Sequence, residues 1–208
     1  MRINIKFDFY EQRPYIHSTQ LLYELLKLMK KNKYYKEEKD ILKISCTYKV
    51  MADKQGYYII DEEYSGSYNT IFIIQTADRK ITAYYVEGDE PVVNRVPYDE
   101  INIIDGYTLD IDNKIADVKI CRDDNLYNVI IGLGKRLILS TFSSEGYSSW
   151  KVGKFVINWK ELNNKPIGKK LSFQITNNIN DEYIQSKIYI DDKYIGILEN
   201  ARRKIGSK

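Results

Sequence analysis

The chain opens on a two-residue alternation. Ile3, Ile5, Phe7 and Phe9 share one face of an extended segment, which is the period of a half-buried strand. Arg13-Pro14 breaks it, and the period then changes. Leu21, Leu22, Leu25, Leu26 and Met29 recur at spacings of three and four, with Gln20, Glu24, Lys27 and Lys31 opposite them. This pattern predicts an amphipathic helix over about 18–31, capped by Ser18 or Thr19. From residue 41 the alternation returns. Leu42, Ile44, Cys46, Tyr48 and Val50 interleave with Lys43, Ser45, Thr47 and Lys49, the pattern of a strand with one wet face. Further strands are predicted over 57–61, 69–76, 80–87, 101–104, 107–111, 115–121, 126–132, 136–142, 152–158, 170–176, 183–190 and 193–198.

Short turns join several of these runs. Ala77-Asp78-Arg79 and Asp191-Asp192 each separate two strand patterns and read as hairpins. Parallel crossovers would need longer connections, so the sheet is predicted to be antiparallel. The predicted fold class is α+β: a predominantly antiparallel sheet, arranged as a sandwich or open barrel, with one N-terminal helix packed on it. The first strand and the strand after residue 41 are expected to pair beside that helix. The best internal break is the Ser/Gly-rich stretch 143–149, but too little chain follows it for a robust second domain. One domain over 1–200 with a basic tail at 201–208 is the expected organisation.

Composition reinforces the strand reading. The 208 residues include 30 Ile and 19 Tyr against 14 Leu and 5 Ala, and β-branched and aromatic side chains suit a pleated surface. Lys outnumbers Arg 24 to 8 and Asn reaches 15, a composition that fits an AT-rich genome such as that of a bacterium, its phage or a plasmid. No apolar run approaches the ~18–20 residues of a membrane span, and the alternating N-terminus lacks the apolar stretch of a signal peptide. Two cysteines inside predicted strands do not make a disulfide scaffold. The expected location is the cytoplasm, with no membrane association.

The overall charge of +3 conceals an uneven distribution: net +5 over 1–52, −9 over 53–124 and +7 over 125–208. Adjacent acidic and basic strands would account for it. An acidic surface that steers a charged partner is the functional alternative.

Catalytic constellations are incomplete. The single histidine, His17, sits at the predicted helix start, where it reads as a helix-end residue without a nucleophile and orienter beside it. Gly132-Leu133-Gly134-Lys135 lacks the remaining letters of a phosphate loop and reads as a glycine turn. Asp110-Ile111-Asp112-Asn113-Lys114 opens like a calcium loop but lacks its glycine and glutamate. Asp117-Val118-Lys119 places a carboxylate and an ammonium on one strand face. It resembles the Asp…Asp/Glu-x-Lys arrangement of metal-dependent nucleases, with Asp110, Asp112 or Asp99 as the second carboxylate.

Two Tyr/Ser/Gly loops suit partner contact, with Tyr64, Tyr68, Tyr147 and Trp150 as anchors. Lys27, Lys30, Lys31 and Lys33, with Arg202 and Arg203, could meet phosphates. No cofactor or metal is expected. The favoured function is non-catalytic binding of a protein partner, as a phage- or mobile-element-encoded inhibitor of a host protein working through those loops or the acidic surface. A metal-dependent nuclease and a nucleic-acid-binding protein are the alternatives. Circular dichroism is expected to show strand dominating helix, with helix well below the roughly 30–35% usual in globular proteins.

Overall fold

In the computed structural model, which describes residues 1–11, 13–98, 106–121 and 126–205, the leucine stripe becomes helix α1 (Ser18–Lys31). Strand β1 (Arg2–Ile5) and a short β2 (Phe9–Tyr10) precede it. It is followed by β3 (Ile41–Tyr48), β4 (Lys54–Ile60), β5 (Thr70–Thr76), β6 (Lys80–Pro91) and a two-residue β7 (Arg95–Val96). These elements make up the first of two compact units, Met1–Tyr98; the second is Asp99–Lys208. The first unit's sheet runs β1-β4-β6-β5-β3, with every neighbouring pair antiparallel. β2 and β7 form a small parallel pair of their own.

α1 lies against the inner face of that sheet. Leu21, Leu22, Leu25 and Met29 are fully buried, each worth about 1.5–3 kcal/mol of burial. Tyrosines from the sheet reach the helix backbone: Tyr58 donates its hydroxyl to Leu21 O at 2.7 Å and Tyr48 donates to Ser18 O at 3.2 Å. Cys46 is buried on the same face, and burial pushes its thiol pKa up. The first strand pairs with β4, placing Ile3 opposite Tyr58, and not with β3 as its position beside the helix suggested.

The second unit contains β8 (Thr108–Asp110), β9 (Ile115–Lys119), α2 (Leu126–Thr141), β10 (Lys151–Ile157), a short α3 (Trp159–Asn163), β11 (Lys170–Ile179), β12 (Tyr183–Ile190) and β13 (Lys193–Ala201). Its order is β10-β13-β12-β11-β9-β8, again antiparallel throughout. The β12–β13 hairpin turns at Asp191 and Asp192, both at positive φ, as a two-residue primed turn requires. The 101–104 expectation lies outside the described residues. The predicted break at 143–149 falls inside the second unit, while the division between units comes after Tyr98.

The main departure from the sequence reading is α2. Residues 126–132 and 136–142 form no strands; they are one helix of 16 residues, and Gly132 and Gly134 are not a turn but part of its buried surface. Ile and Gly are poor helix formers, so local preference pointed the other way. Burial overrides it: Ile130, Leu133 and Leu137 are fully enclosed, and a helix apolar on most sides belongs in an interior. Gly134 permits the close approach, since a Cβ there would stand 2.8 Å from Leu198 Cδ2 and 3.2 Å from Phe173 Cε1. Trp159 is buried at the start of α3, directly after the strand predicted over 152–158.

The chain is thus α+β, mostly antiparallel, and each unit is a sheet covering a helix. Among the described residues no helix is long and apolar enough to cross a membrane. Two glycines on the β10–β13 pair separate close approach from slack. A Cβ on Gly196 would sit 2.1 Å from Val156 O, whereas one on Gly153 would meet nothing nearer than 3.8 Å. Gly196→Ala should therefore cost about 3 kcal/mol by forcing backbone apart, and Gly153→Ala less than about 0.5 kcal/mol, in urea unfolding.

Candidate functional site

The start of α1 is built by its own side chains. The N-cap is His17, one residue earlier than Ser18 or Thr19. Its Nδ1 accepts from Thr19 N–H at 3.4 Å and lies 2.7 Å from Thr19 Oγ1. Gln20 Oε1 closes the capping box by accepting from His17 N–H at 3.0 Å, while Gln20 Nε2 donates to Asp8 O at 2.8 Å. Tyr10 and Tyr98 stack at 4.2 Å beside the imidazole, and the Arg13 guanidinium lies 4.9 Å over Tyr98. Burial, then the Glu24 carboxylate, raises the Tyr10 phenol pKa, so this hydroxyl stays protonated. His17 is spent on holding the helix end.

The start of α2 differs. Its first turn buries Leu126, Tyr127 and Asn128. Tyr127 packs edge-on against Phe155 on β10, with centroids 4.8 Å apart. Asn128 is 8% exposed and its Oδ1 has no hydrogen-bond partner. A buried amide oxygen without a donor costs about 1–3 kcal/mol, so its presence on a first helical turn calls for a purpose. The first N–H groups of any helix lack intrahelical acceptors and carry partial positive charge. Such a turn can bind a developing oxyanion through its N–H groups, while Asn128 Oδ1 accepts a hydrogen from a second reactant.

The outer face of the second unit's sheet holds the Asp-x-Lys pair. Ala116, Val118 and Ile120 are buried, which turns Asp117 and Lys119 to the other side. Asp117 stands opposite Ser172 on β11 and Thr108 on β8, and Lys119 opposite Lys170. Asp117 Oδ1 and Ser172 Oγ are both buried without hydrogen-bond partners. Asp110 shares the outer face but is committed to its turn: Asn113 donates to it from the backbone at 3.0 Å and from the side chain at 2.8 Å. The side-chain bond, then the backbone one, lowers the Asp110 carboxyl pKa. Asp112 is an exposed turn residue, and Asp99 lies outside the described residues. Among the described residues no three His, Cys, Asp or Glu side chains gather as a metal site.

The loop aromatics are partly consumed by the protein itself. Tyr64 donates to Ser67 O at 3.1 Å, and Tyr64 and Tyr68 pack on Tyr84 at 5.6 and 5.1 Å. Lys49 Nζ sits 3.8 Å over Tyr68. Tyr147 and Trp150 both pack on the Arg202 guanidinium, at 3.9 and 4.3 Å. Arg202 is 6% exposed and donates from Nε to Asp181 O and from Nη1 to Ser143 O, each at 2.5 Å. An arginine so enclosed cannot contact phosphate, which corrects that expectation. Arg203 is exposed, but its backbone is bonded to Ser148, and Ile205 N–H donates to Gly146 O.

At the end of α1, Lys27 pairs with Glu24 at 2.8 Å, while Lys30, Lys31 and Lys33 are exposed. Of the tyrosines beyond them, Tyr35 is buried with its hydroxyl on Leu26 O, and Tyr34 lies under Arg79. The acidic stretch 53–124 is divided between the two units.

No protein-family model matches the sequence, and no curated protein is similar to it. Solved structures do match. The TesB protein of Mycobacterium avium subspecies paratuberculosis aligns over 98% of this chain and 92% of its own, at 6% identity and a TM-score of 0.51. A candidate thioesterase II from Thermobifida fusca aligns over 99% and 94%, at 8% identity and a TM-score of 0.50. A protein of Alicyclobacillus acidocaldarius described as having a hot-dog fold covers 100% and 93%, at 8% identity and a TM-score of 0.48. At these identities the likeness is one of fold: a sheet wrapped around a helix. It corrects the expectation of a non-catalytic, phage-type inhibitor, because one of the proteins sharing this fold end to end is described as a candidate thioesterase II, the name of an enzyme.

The Arg202 clamp gives a stability test. Arg202→Ala removes two charge-assisted hydrogen bonds and two aromatic contacts, and should lower stability by about 3 kcal/mol in denaturant unfolding. A loss below about 0.5 kcal/mol would be that of an ordinary surface residue.

Proposed function

We propose that the protein hydrolyses an acyl thioester, with the reacting carbonyl at the first turn of α2. The observation that carries this reading is the buried, partnerless Oδ1 of Asn128 on the helix its sheet wraps. It is supported by the end-to-end fold likeness to a protein described as a candidate thioesterase II. Thioester hydrolysis makes modest demands on side chains. Water adds to the carbonyl carbon, the C–S bond breaks, and the leaving group is a thiolate whose conjugate acid has a pKa of only about 8.5. No strong acid is needed to expel it, and the proton released from water ends on the thiol. The site must hold the oxyanion, which N–H groups at a helix start can do, and orient the water, whose O–H an amide oxygen can accept as a hydrogen bond while the departing thiolate takes up the proton. In this reading the side chains at the start of α1 position structure, and those at the start of α2 meet substrate.

The test separates function from folding by sign. Asn128→Leu keeps the shape and deletes an unpaired buried oxygen, so the melting temperature should hold or rise. Thiol release from an acyl-coenzyme A should fall by about a hundredfold. A lower melting temperature with activity intact would make Asn128 structural and remove the site.

A further inference from the structure

We infer that the acyl group this protein accepts is short, in the acetyl-to-hexanoyl range, because the apolar interior of each unit is already filled. The inference rests on the hydrolase reading and adds its substrate class. A long alkyl chain gains about 0.8 kcal/mol for each methylene buried, so an enzyme that selects long chains must offer apolar room. In a sheet wrapped around a helix, that room lies between the helix and the inner face.

In the first unit a file of rings occupies it. Tyr48 meets Phe72 at 6.3 Å, Phe72 meets Tyr58 at 6.2 Å, Tyr58 meets Tyr85 at 5.3 Å, and Tyr85 meets Phe7 at 5.7 Å. The file runs from β3 to β5, passes over β6 to β4, and returns to β6 before ending on Phe7. Hydroxyls at two points tie it to the helix backbone, at Ser18 O and Leu21 O. A chain lying along α1 would have to break those bonds as well as displace rings.

In the second unit the filling is by contact of helix on sheet. Tyr127 closes on Phe155 beside Asn128. Seven residues on from Tyr127, on the same face and about 10 Å along the helix, Gly134 rests on Leu198 and Phe173 so closely that a methyl group could not be inserted without movement. Phe173 and Phe155 are fully buried and Leu198 nearly so. An acyl group pushed from Asn128 into the space between α2 and the sheet therefore meets Tyr127 on Phe155 first, and Gly134 on Leu198 and Phe173 beyond it. Leu198 and Phe173 set the limit.

The experiment is a panel of acetyl-, butyryl-, octanoyl- and dodecanoyl-coenzyme A, with kcat/KM measured for wild type, Phe173→Leu and Leu198→Ala. Wild type should favour acetyl or butyryl over dodecanoyl by at least about tenfold. Either variant that folds should raise the dodecanoyl-to-butyryl ratio by about tenfold. Hydrolysis that favours dodecanoyl in wild type overturns the chain-length limit and leaves the hydrolase reading standing. A wild-type preference for short chains that both folded variants retain unchanged removes Leu198 and Phe173 as its cause. No hydrolysis of any thioester, with no saturable binding of the matching thioethers, overturns the hydrolase reading and the limit together.

Discussion

A helix enclosed by a curved sheet imposes one demand from which most of this structure follows: nothing polar that enters the space between them can find water. Buried tyrosine hydroxyls must therefore find acceptors inside. In the first unit they take the spare lone pairs of helix carbonyls, so Tyr58 and Tyr48 become struts between sheet and helix. The second unit meets the same demand by exclusion. Its helix presents Gly132 and Gly134 and lets apolar side chains come close. That exclusion is incomplete: among the described residues Asn128 Oδ1, Ser186 Oγ and Asn200 Nδ2 are buried in this unit without partners, and of these only Asn128 lies on a helix.

How legible the fold was depended on how much of each element faces water. α1, β3 and the two hairpins have one wet side, so their periods show in the sequence, and the order of faces on 115–121 follows from simple alternation. α2 has little wet side. Its apolar run carries no clean period, its β-branched residues imitate strand, and its glycines imitate a turn. The cue that was available lies just ahead of it: Asp123-Asp124-Asn125 is the composition of a helix start. Pairing was equally out of reach. That β1 joins β4 depends on how the sheet curls round the helix, which no local pattern records.

The site was less legible, for two physical reasons. Long-range contacts decide which exposed-looking residues are exposed. Arg202 reads as part of a basic tail, yet its partner Ser143 is 59 residues away in sequence, and that bond turns a surface charge into an internal clamp. The chemistry itself leaves few marks. On the proposed reading a thioester brings its own good leaving group, and an asparagine in an apolar run is easily passed over.

The order of strands in the second unit bears on how the chain comes into being. β13 follows β10 and β12 in the chain, yet it lies between them and hydrogen-bonds to both. Until Lys193–Ala201 has left the ribosome, β10 and the β11–β12 hairpin each carry an open edge, and such edges are sticky. The first unit closes with β6, about halfway along the chain. Synthesis therefore reaches the strand that closes the second sheet only after both of the strands it joins have been made.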